Sequence, residues 1–253
     1  MACLIHLSRV IDPGKTAIIK LKISCMGGLA LHSTWVSSAL SHCLRTRAYL
    51  LLYIWVFLMV WLTVRYSLSG LFSLGTVIPV YLYVRYVDIR QPLEFLKLGQ
   101  ENVIAGYLWG IVLAVAFIAI FAMKLHFGGQ GYLYYDWPIL DVLNVVVIAS
   151  LVEEIFFRGF LLQKFMEATS FAKANIMVTL LFVTLHFPVW LSDGLSVLEI
   201  GESLIYLAGF SWLSGYVYHC SNSLWTPIIL HAANNYFKLA TISIQYITSS
   251  SSF

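Results

Sequence analysis

The chain has 253 residues, of which 60% are hydrophobic and only 11% are charged, and its formal net charge is +3. A soluble domain usually carries about 25% charged residues, so this composition indicates an integral membrane protein. The small net charge gives no support to nucleic-acid binding. The four cysteines share no CxxC spacing, which argues against a zinc ribbon or a redox pair.

Residues 1–47 are less apolar than the rest and strongly basic. Their charged residues are Arg9, Lys15, Lys20, Lys22, Arg45 and Arg47 against Asp12. No clean apolar core follows a basic start, so the pattern is not that of a cleavable signal peptide. We expect an N-terminal cytoplasmic extension of uncertain structure, while a transit-like segment and a later start at Met26 stay open.

Apolar segments follow one another through residues 48–253, and several are long enough to cross about 30 Å of hydrocarbon as helices. Their approximate bounds are Ala48–Val64, Ser67–Val84, Val103–Met123, Pro138–Leu162, Ala174–Leu191, Leu204–Tyr218 and Leu224–Ile247. The sequence therefore predicts an all-α, polytopic membrane bundle of about seven transmembrane helices in one domain, 48–253.

Basic residues concentrate in the N-terminal arm and in the loops after the second and fourth segments. The loop after the fifth segment carries Asp193, Glu199 and Glu202 instead. By the positive-inside rule we expect a cytoplasmic N-terminus and an external C-terminus. A plasma (inner) membrane would suit this orientation.

The fourth segment contains ionisable residues at membrane depth, where they are costly unless paired or hydrated and so mark a functional site. Glu154 and Arg158 are four residues apart and can form an ion pair on one helical face. Glu153 points about 100° away from Glu154. It is the carboxylate left without this partner, which suits a general base.

Two further segments supply polar groups. His186 follows Phe182 by four residues, and it could orient and polarise a water molecule. It lies beyond the middle of its segment, so a shifted boundary or a tilted helix must bring it to Glu153. His231 and Asn235 also share a face and offer N–H donors for an oxyanion. Taken singly, each of these residues could be an interhelical hydrogen-bond partner, and Lys238 could simply reach for the aqueous side of its helix.

Three patterns occur in order: Glu153-Glu-x-x-x-Arg158, Phe182-x-x-x-His186 and His231-x-x-x-Asn235. They resemble the motifs of the CPBP family, the CAAX-protease and bacteriocin-processing intramembrane proteases, also called the Abi family. The resemblance covers about residues 140–237. One departure is that Phe187 and Pro188 follow His186, where many members have a small residue.

The resemblance implies an all-helical membrane peptidase whose best-known relatives trim the last three residues from prenylated CAAX proteins. By this resemblance Glu153 and His186 would activate water, and His231 and Asn235 would stabilise the oxyanion. Supporting or substrate-binding roles would fall to Glu154, Arg158 and Phe182. The implied partners are the lipid bilayer and a protein or peptide substrate, either a prenylated chain, a peptide precursor such as a bacteriocin leader, or a membrane-protein tail.

We expect no cofactor. The alternative is a catalytic zinc held by Glu153, His186 and His231, although the sequence has no HExxH motif. Zinc would take up Glu153 as a ligand and leave only Glu154, which the spacing commits to Arg158, as base.

Two functions of other classes compete with an intramembrane endopeptidase. A non-catalytic immunity or scaffold protein could retain the fold, but it would be free to lose one of the polar residues. A transporter could use the buried acids and histidines as a proton relay. Transporters often contain internal repeats, and none stands out here.

Overall fold

The computed structural model describes the backbone of residues 4–10, 18–24, 33–66, 69–127 and 138–250. The side-chain contacts below come from described residues between 48 and 239. The chain forms two compact units, Met1–Leu51 and Leu52–Phe253. The domain boundary expected at residues 47 and 48 stays a prediction, and the side chains before residue 48 lie outside the described residues.

The N-terminal unit contains a two-stranded antiparallel hairpin that the sequence did not lead us to expect. Strand β1 spans Leu4–Val10 and strand β2 spans Ile18–Ser24, with Leu4 opposite Ser24. Helix α1, Ser33–Tyr66, begins in this unit and ends in the second one.

The second unit is an all-α helix bundle, as the composition predicted. Its elements after α1 are α2 Ser69–Leu82, which continues as a π-helical turn Tyr83–Val87, α3 Pro92–Phe95, α4 Gln100–Phe127, α5 residues 139–166, α6 Phe171–Leu185, α7 Phe187–Ser192, α8 Val197–Ser221 and α9 Trp225–Ser250. Helix α5 is continuous but contains two π-helical stretches, Leu143–Ala149 and Ile155–Leu162, on either side of Ser150–Glu154.

Among the described residues, 4 helical segments are long and apolar enough to cross a membrane. They are Ala48–Tyr66, Gly70–Val87, Glu101–Met123 and Phe171–Ser192. The other expected segments also form helices, within α5, α8 and α9, but polar and ionisable side chains interrupt them. The chain is therefore a membrane protein, and the expected count of about seven spans stays a prediction.

Small residues bring the helix backbones close together, as is common in membrane bundles. Helix α4 lies against the start of α9, where a Cβ atom added at Gly106 would meet Ser223 Oγ, just before α9, at 2.0 Å. Thr226 Oγ1 donates to the Gly106 carbonyl at 3.2 Å. Helix α6 lies equally close to α8, because a Cβ at Gly215 would be 1.9 Å from Asn175 Oδ1.

Charged side chains form ion pairs at the end of α5 and a cap at the start of α8. At the end of α5, the buried Lys164 pairs with Asp88 and, at 3.2 Å, with Glu167, which also pairs with Arg90 at 2.7 Å. Helix α8 begins with a capping box in which Ser196 hydrogen-bonds the Glu199 carboxylate. These bonds lower the pKa of Glu199.

Candidate active site

A fully buried ion pair joins Glu154 and Arg158 within α5. Arg158 Nη1 donates to Glu154 Oε1 at 3.0 Å, and neither side chain is exposed. Arg158 Nη2 donates to the carbonyl and to the hydroxyl of Ser211 on α8, both at 2.9 Å. The Arg158 guanidinium also lies over the Phe182 ring on α6, 4.6 Å from its centroid. The pair expected from the sequence spacing is present, and it ties three helices together.

His231 on α9 connects this ion pair to the other carboxylate. Its Nδ1 lies 2.8 Å from Glu154 Oε1, and its Nε2 lies 3.9 Å from Glu153 Oε2. An ionised carboxylate only accepts hydrogen bonds, so Nδ1 carries the proton of the shorter contact. His231 is buried, and this bond fixes the orientation of its ring towards Glu153.

Glu153 and His186 line the same cavity, which has a volume of about 310 Å³ and mostly apolar walls from α1, α2 and α5. The Glu153 side chain is 16% exposed. Its Oε2 atom is buried and accepts no hydrogen bond from the residues that the structure describes. The His186 ring hydrogen-bonds the Phe182 carbonyl through Nδ1 at 2.8 Å. A carbonyl only accepts, so Nδ1 donates and Nε2 stays available as an acceptor for a water molecule.

The end of helix α6 explains how His186 reaches this cavity. Helix α6 ends at Leu185, and α7 begins at Phe187 with Pro188 in its first turn. A proline is tolerated in a first turn but not inside a helix, so the Phe-Pro pair after His186 favours a break at this point. The departure from the family pattern therefore places the histidine at a helix junction.

Asn235 does not direct its amide hydrogens into the cavity. Its Nδ2 donates to the Val145 carbonyl and to Ser150 Oγ, both at 3.0 Å, which links α9 to the part of α5 that precedes Glu153. Both hydrogens of the amide are thereby used. An oxyanion role for Asn235 stays a prediction, and it would require one of these bonds to be released.

Two contributors to the site were missed or undervalued in the sequence. Ser211 holds the Arg158 guanidinium, but a single serine in an apolar helix carries no pattern that would reveal this. The sequence alone suggests only that Lys238 reaches for the aqueous side of its helix. In the structure its Nζ lies over the Tyr206 ring, 5.6 Å from the centroid, and it interacts electrostatically with both Glu153 and His186.

The zinc alternative finds little support in the side-chain arrangement. Across the described part of the chain, no three His, Cys, Asp or Glu side chains are grouped so that they could hold a metal ion. Glu153, His186 and His231 therefore do not form a ready ligand set. Metal independence stays a prediction.

Comparisons with known proteins agree with the motif resemblance. Residues 134–237, which include all the candidate catalytic residues, match the family described as Type II CAAX prenyl endopeptidase Rce1-like. The chain is also 26% identical over 186 residues to the "Putative membrane peptidase YdiL" of Bacillus subtilis (strain 168), an alignment that covers 67% of this chain and 70% of that protein. No solved structure matches the chain significantly. The profile match, the membrane-peptidase relative and the ordered motifs together support a CPBP or CAAX-protease family for this chain.

Proposed function

We propose that this chain is an intramembrane endopeptidase of the CAAX-prenyl-protease-like type, in which Glu153 and His186 activate water. The observation that carries the proposal is the contrast between the two adjacent glutamates. Glu154 is fully buried and its Oε1 atom is engaged by both Arg158 and His231, whereas Glu153 lines a cavity together with His186. Each carboxylate keeps one oxygen without a hydrogen bond among the described residues, but only Glu153 lines the cavity with His186.

Hydrolysis can proceed with these two groups alone. Glu153 takes a proton from a water molecule that His186 Nε2 orients, and the water oxygen attacks the carbonyl carbon of the scissile bond. When the tetrahedral intermediate collapses, the C–N bond breaks and the proton held by Glu153 passes to the leaving amine. One water molecule is consumed, and both carboxylate and imidazole return to their starting state.

The negative oxygen of the intermediate needs hydrogen-bond donors. His231 Nε2 is near Glu153, and it can donate when both ring nitrogens carry protons. Asn235 can contribute once one of its bonds to Val145 or Ser150 is released. Glu154 and Arg158 then act as positioning residues, because they hold His231 rather than touch the reacting atoms.

The substrate we propose is a peptide or protein that reaches the site from within the bilayer. A prenylated chain is the first candidate, because the matched family profile is described as a CAAX prenyl endopeptidase. A peptide precursor is the second. We further propose that the chain is multi-pass, with its N-terminus in the cytoplasm, since its basic residues favour this orientation.

The test is cleavage of a farnesylated peptide by the full chain in liposomes, with the products identified by mass spectrometry. Glu153→Gln keeps the size of the side chain but removes the base, so we expect a rate loss of roughly 10²–10⁴-fold. Glu202→Gln, at an exposed position on α8, is the matched control and should cleave normally. An intact peptide with the unmodified chain would favour the non-catalytic scaffold, and an active Glu153→Gln variant would reject Glu153 as the base.

A further inference from the structure

Lys238 on α9 is a cation beside the candidate active site that the mechanism above does not use. Its side chain is exposed, and it forms no salt bridge among the residues that the structure describes. It nonetheless interacts electrostatically with Glu153 and with His186, which come from two other helices. Lys238 therefore lies at the edge of the catalytic group and not on a remote surface.

A lone charge in a membrane bundle is costly unless something pairs with it or hydrates it, so it indicates a ligand. Nζ lies over the face of the Tyr206 ring, 5.6 Å from its centroid. Tyr206 is itself held, because its hydroxyl donates to Asn234 on α9. An aromatic ring attracts a cation but supplies no hydrogen-bond acceptor of its own, so the three donors of the ammonium group can bind an anion.

The position of Lys238 along α9 determines how many substrate residues could reach from Lys238 to the scissile bond. It lies seven residues after His231, which is two helical turns and about 10 Å along the same face. His231 Nε2 is 3.9 Å from Glu153 Oε2. An extended peptide rises about 3.3 Å per residue, so about three residues span this distance.

We propose that Lys238 binds the C-terminal carboxylate of the substrate and thereby sets how far from its end the peptide is cut. This inference rests on the proposed function, since it assumes that the scissile bond lies at Glu153. The ligand class is a free peptide carboxylate, about three residues beyond that bond. Lys238 would then determine specificity, and a substrate without the terminal charge would lose its main anchor at this end.

Binding can be measured apart from catalysis with the full-length Glu153→Gln chain in lipid nanodiscs. The probe is a fluorescein-labelled peptide with an S-farnesyl cysteine and three apolar residues after it, made as the free acid and as the C-terminal amide. We expect the acid to bind roughly 10- to 100-fold more tightly, as is usual for a charge-assisted hydrogen bond. Adding Lys238→Gln should remove this preference by weakening the acid and leaving the amide unchanged, and Lys238→Arg should keep it.

The matched control is Lys97→Gln. Lys97 Nζ lies over the Tyr218 ring at 4.9 Å, so the residue has the same kind of aromatic contact. Tyr218 is twelve residues from Tyr206 on α8, about 18 Å away, and Lys97→Gln should leave the preference for the acid intact.

Three results would overturn the proposal: equal affinity for acid and amide, a preference for the acid that survives Lys238→Gln, or no binding of either probe. An equal loss for both probes when Lys238→Gln is added would also overturn it, because Lys238 would then support the shape of the site and not bind the terminal carboxylate. The proposed peptidase activity fails separately if the unmodified chain binds the acid through Lys238 but cleaves neither peptide.

Discussion

At the scale of single residues, the central feature is the separation of Glu153 from Glu154. The two carboxylates are adjacent in sequence, yet α5 turns them to different surroundings. Glu154 is fully buried between Arg158 and His231, while Glu153 is partly exposed to a cavity. We infer that Glu154 holds the site together and that Glu153 activates the water molecule.

This division predicts different effects on stability. Arg158→Ala or Glu154→Gln leaves a buried charge without its partner, which typically costs about 3–5 kcal/mol. Glu153→Gln removes a charge from a partly exposed position and should unfold within a few degrees of the unmodified protein. Thermal unfolding in detergent, followed by tryptophan fluorescence, measures all three. Equal destabilisation of the three variants would contradict the roles assigned to the two acids.

At the scale of helices, the site depends on how closely α6 and α8 approach. Asn175 on α6 is buried and donates to the Trp212 carbonyl on α8 at 3.0 Å. The same asparagine fills the space over Gly215, and Ser211 one turn earlier holds Arg158. Packing of this helix pair therefore positions the ion pair that orients His231.

A methyl group at Gly215 should disturb this contact. Gly215→Ala places a Cβ 1.9 Å from Asn175 Oδ1, and overpacking of this kind typically costs about 1–3 kcal/mol. Gly209→Ala on the same helix meets nothing within 4 Å and should be neutral or slightly stabilising, because alanine is the better helix former. Unfolding midpoints of the two variants in denaturant measure the difference. Equal midpoints would show that the close approach of α6 and α8 is not needed.

The sequence predicts the parts of this site that depend on helical spacing. The Glu154–Arg158 pair and the apolar helices follow from periodicity and hydropathy alone. The sequence does not reveal the π-helical stretches of α5 or the bond between Ser211 and Arg158, since these arise from contacts between helices distant in sequence. For the same reason, the sequence does not reveal that the Asn235 amide hydrogen-bonds Val145 and Ser150.

At the scale of the whole molecule, hydropathy does not give the number of spans, and the basic composition of the N-terminal unit does not by itself reveal its hairpin. Strand β2 does carry a strand signal, because apolar and polar residues alternate through Ile19-Lys20-Leu21-Lys22-Ile23-Ser24. Segments such as α8 mix apolar side chains with serine, tyrosine and glutamate. Hydropathy alone therefore cannot separate a transmembrane helix from one that lines a site.

The proposed mechanism assigns roles to Glu153, His186, His231 and Asn235 without a bound metal ion. We expect the purified protein to contain much less than one zinc per chain and to keep its activity after exhaustive chelation. Elemental analysis and a cleavage assay before and after chelation test this. About one zinc per chain, with activity lost on chelation and restored by zinc, would overturn the assignment of Glu153 as a base.

The most direct test of the central claim is whether Glu153 and His186 act on the same water. The experiment is a double-mutant cycle. It compares the cleavage rates of Glu153→Gln, His186→Ala and the double variant with the unmodified rate, each corrected for the amount of folded protein. Residues that act as a unit lose activity non-additively, so we expect the double variant to be about as slow as the slower single variant. Losses that multiply, or a Glu153→Gln rate above about one tenth of the unmodified rate, would contradict the account, because removal of a general base typically costs 10²–10⁴-fold.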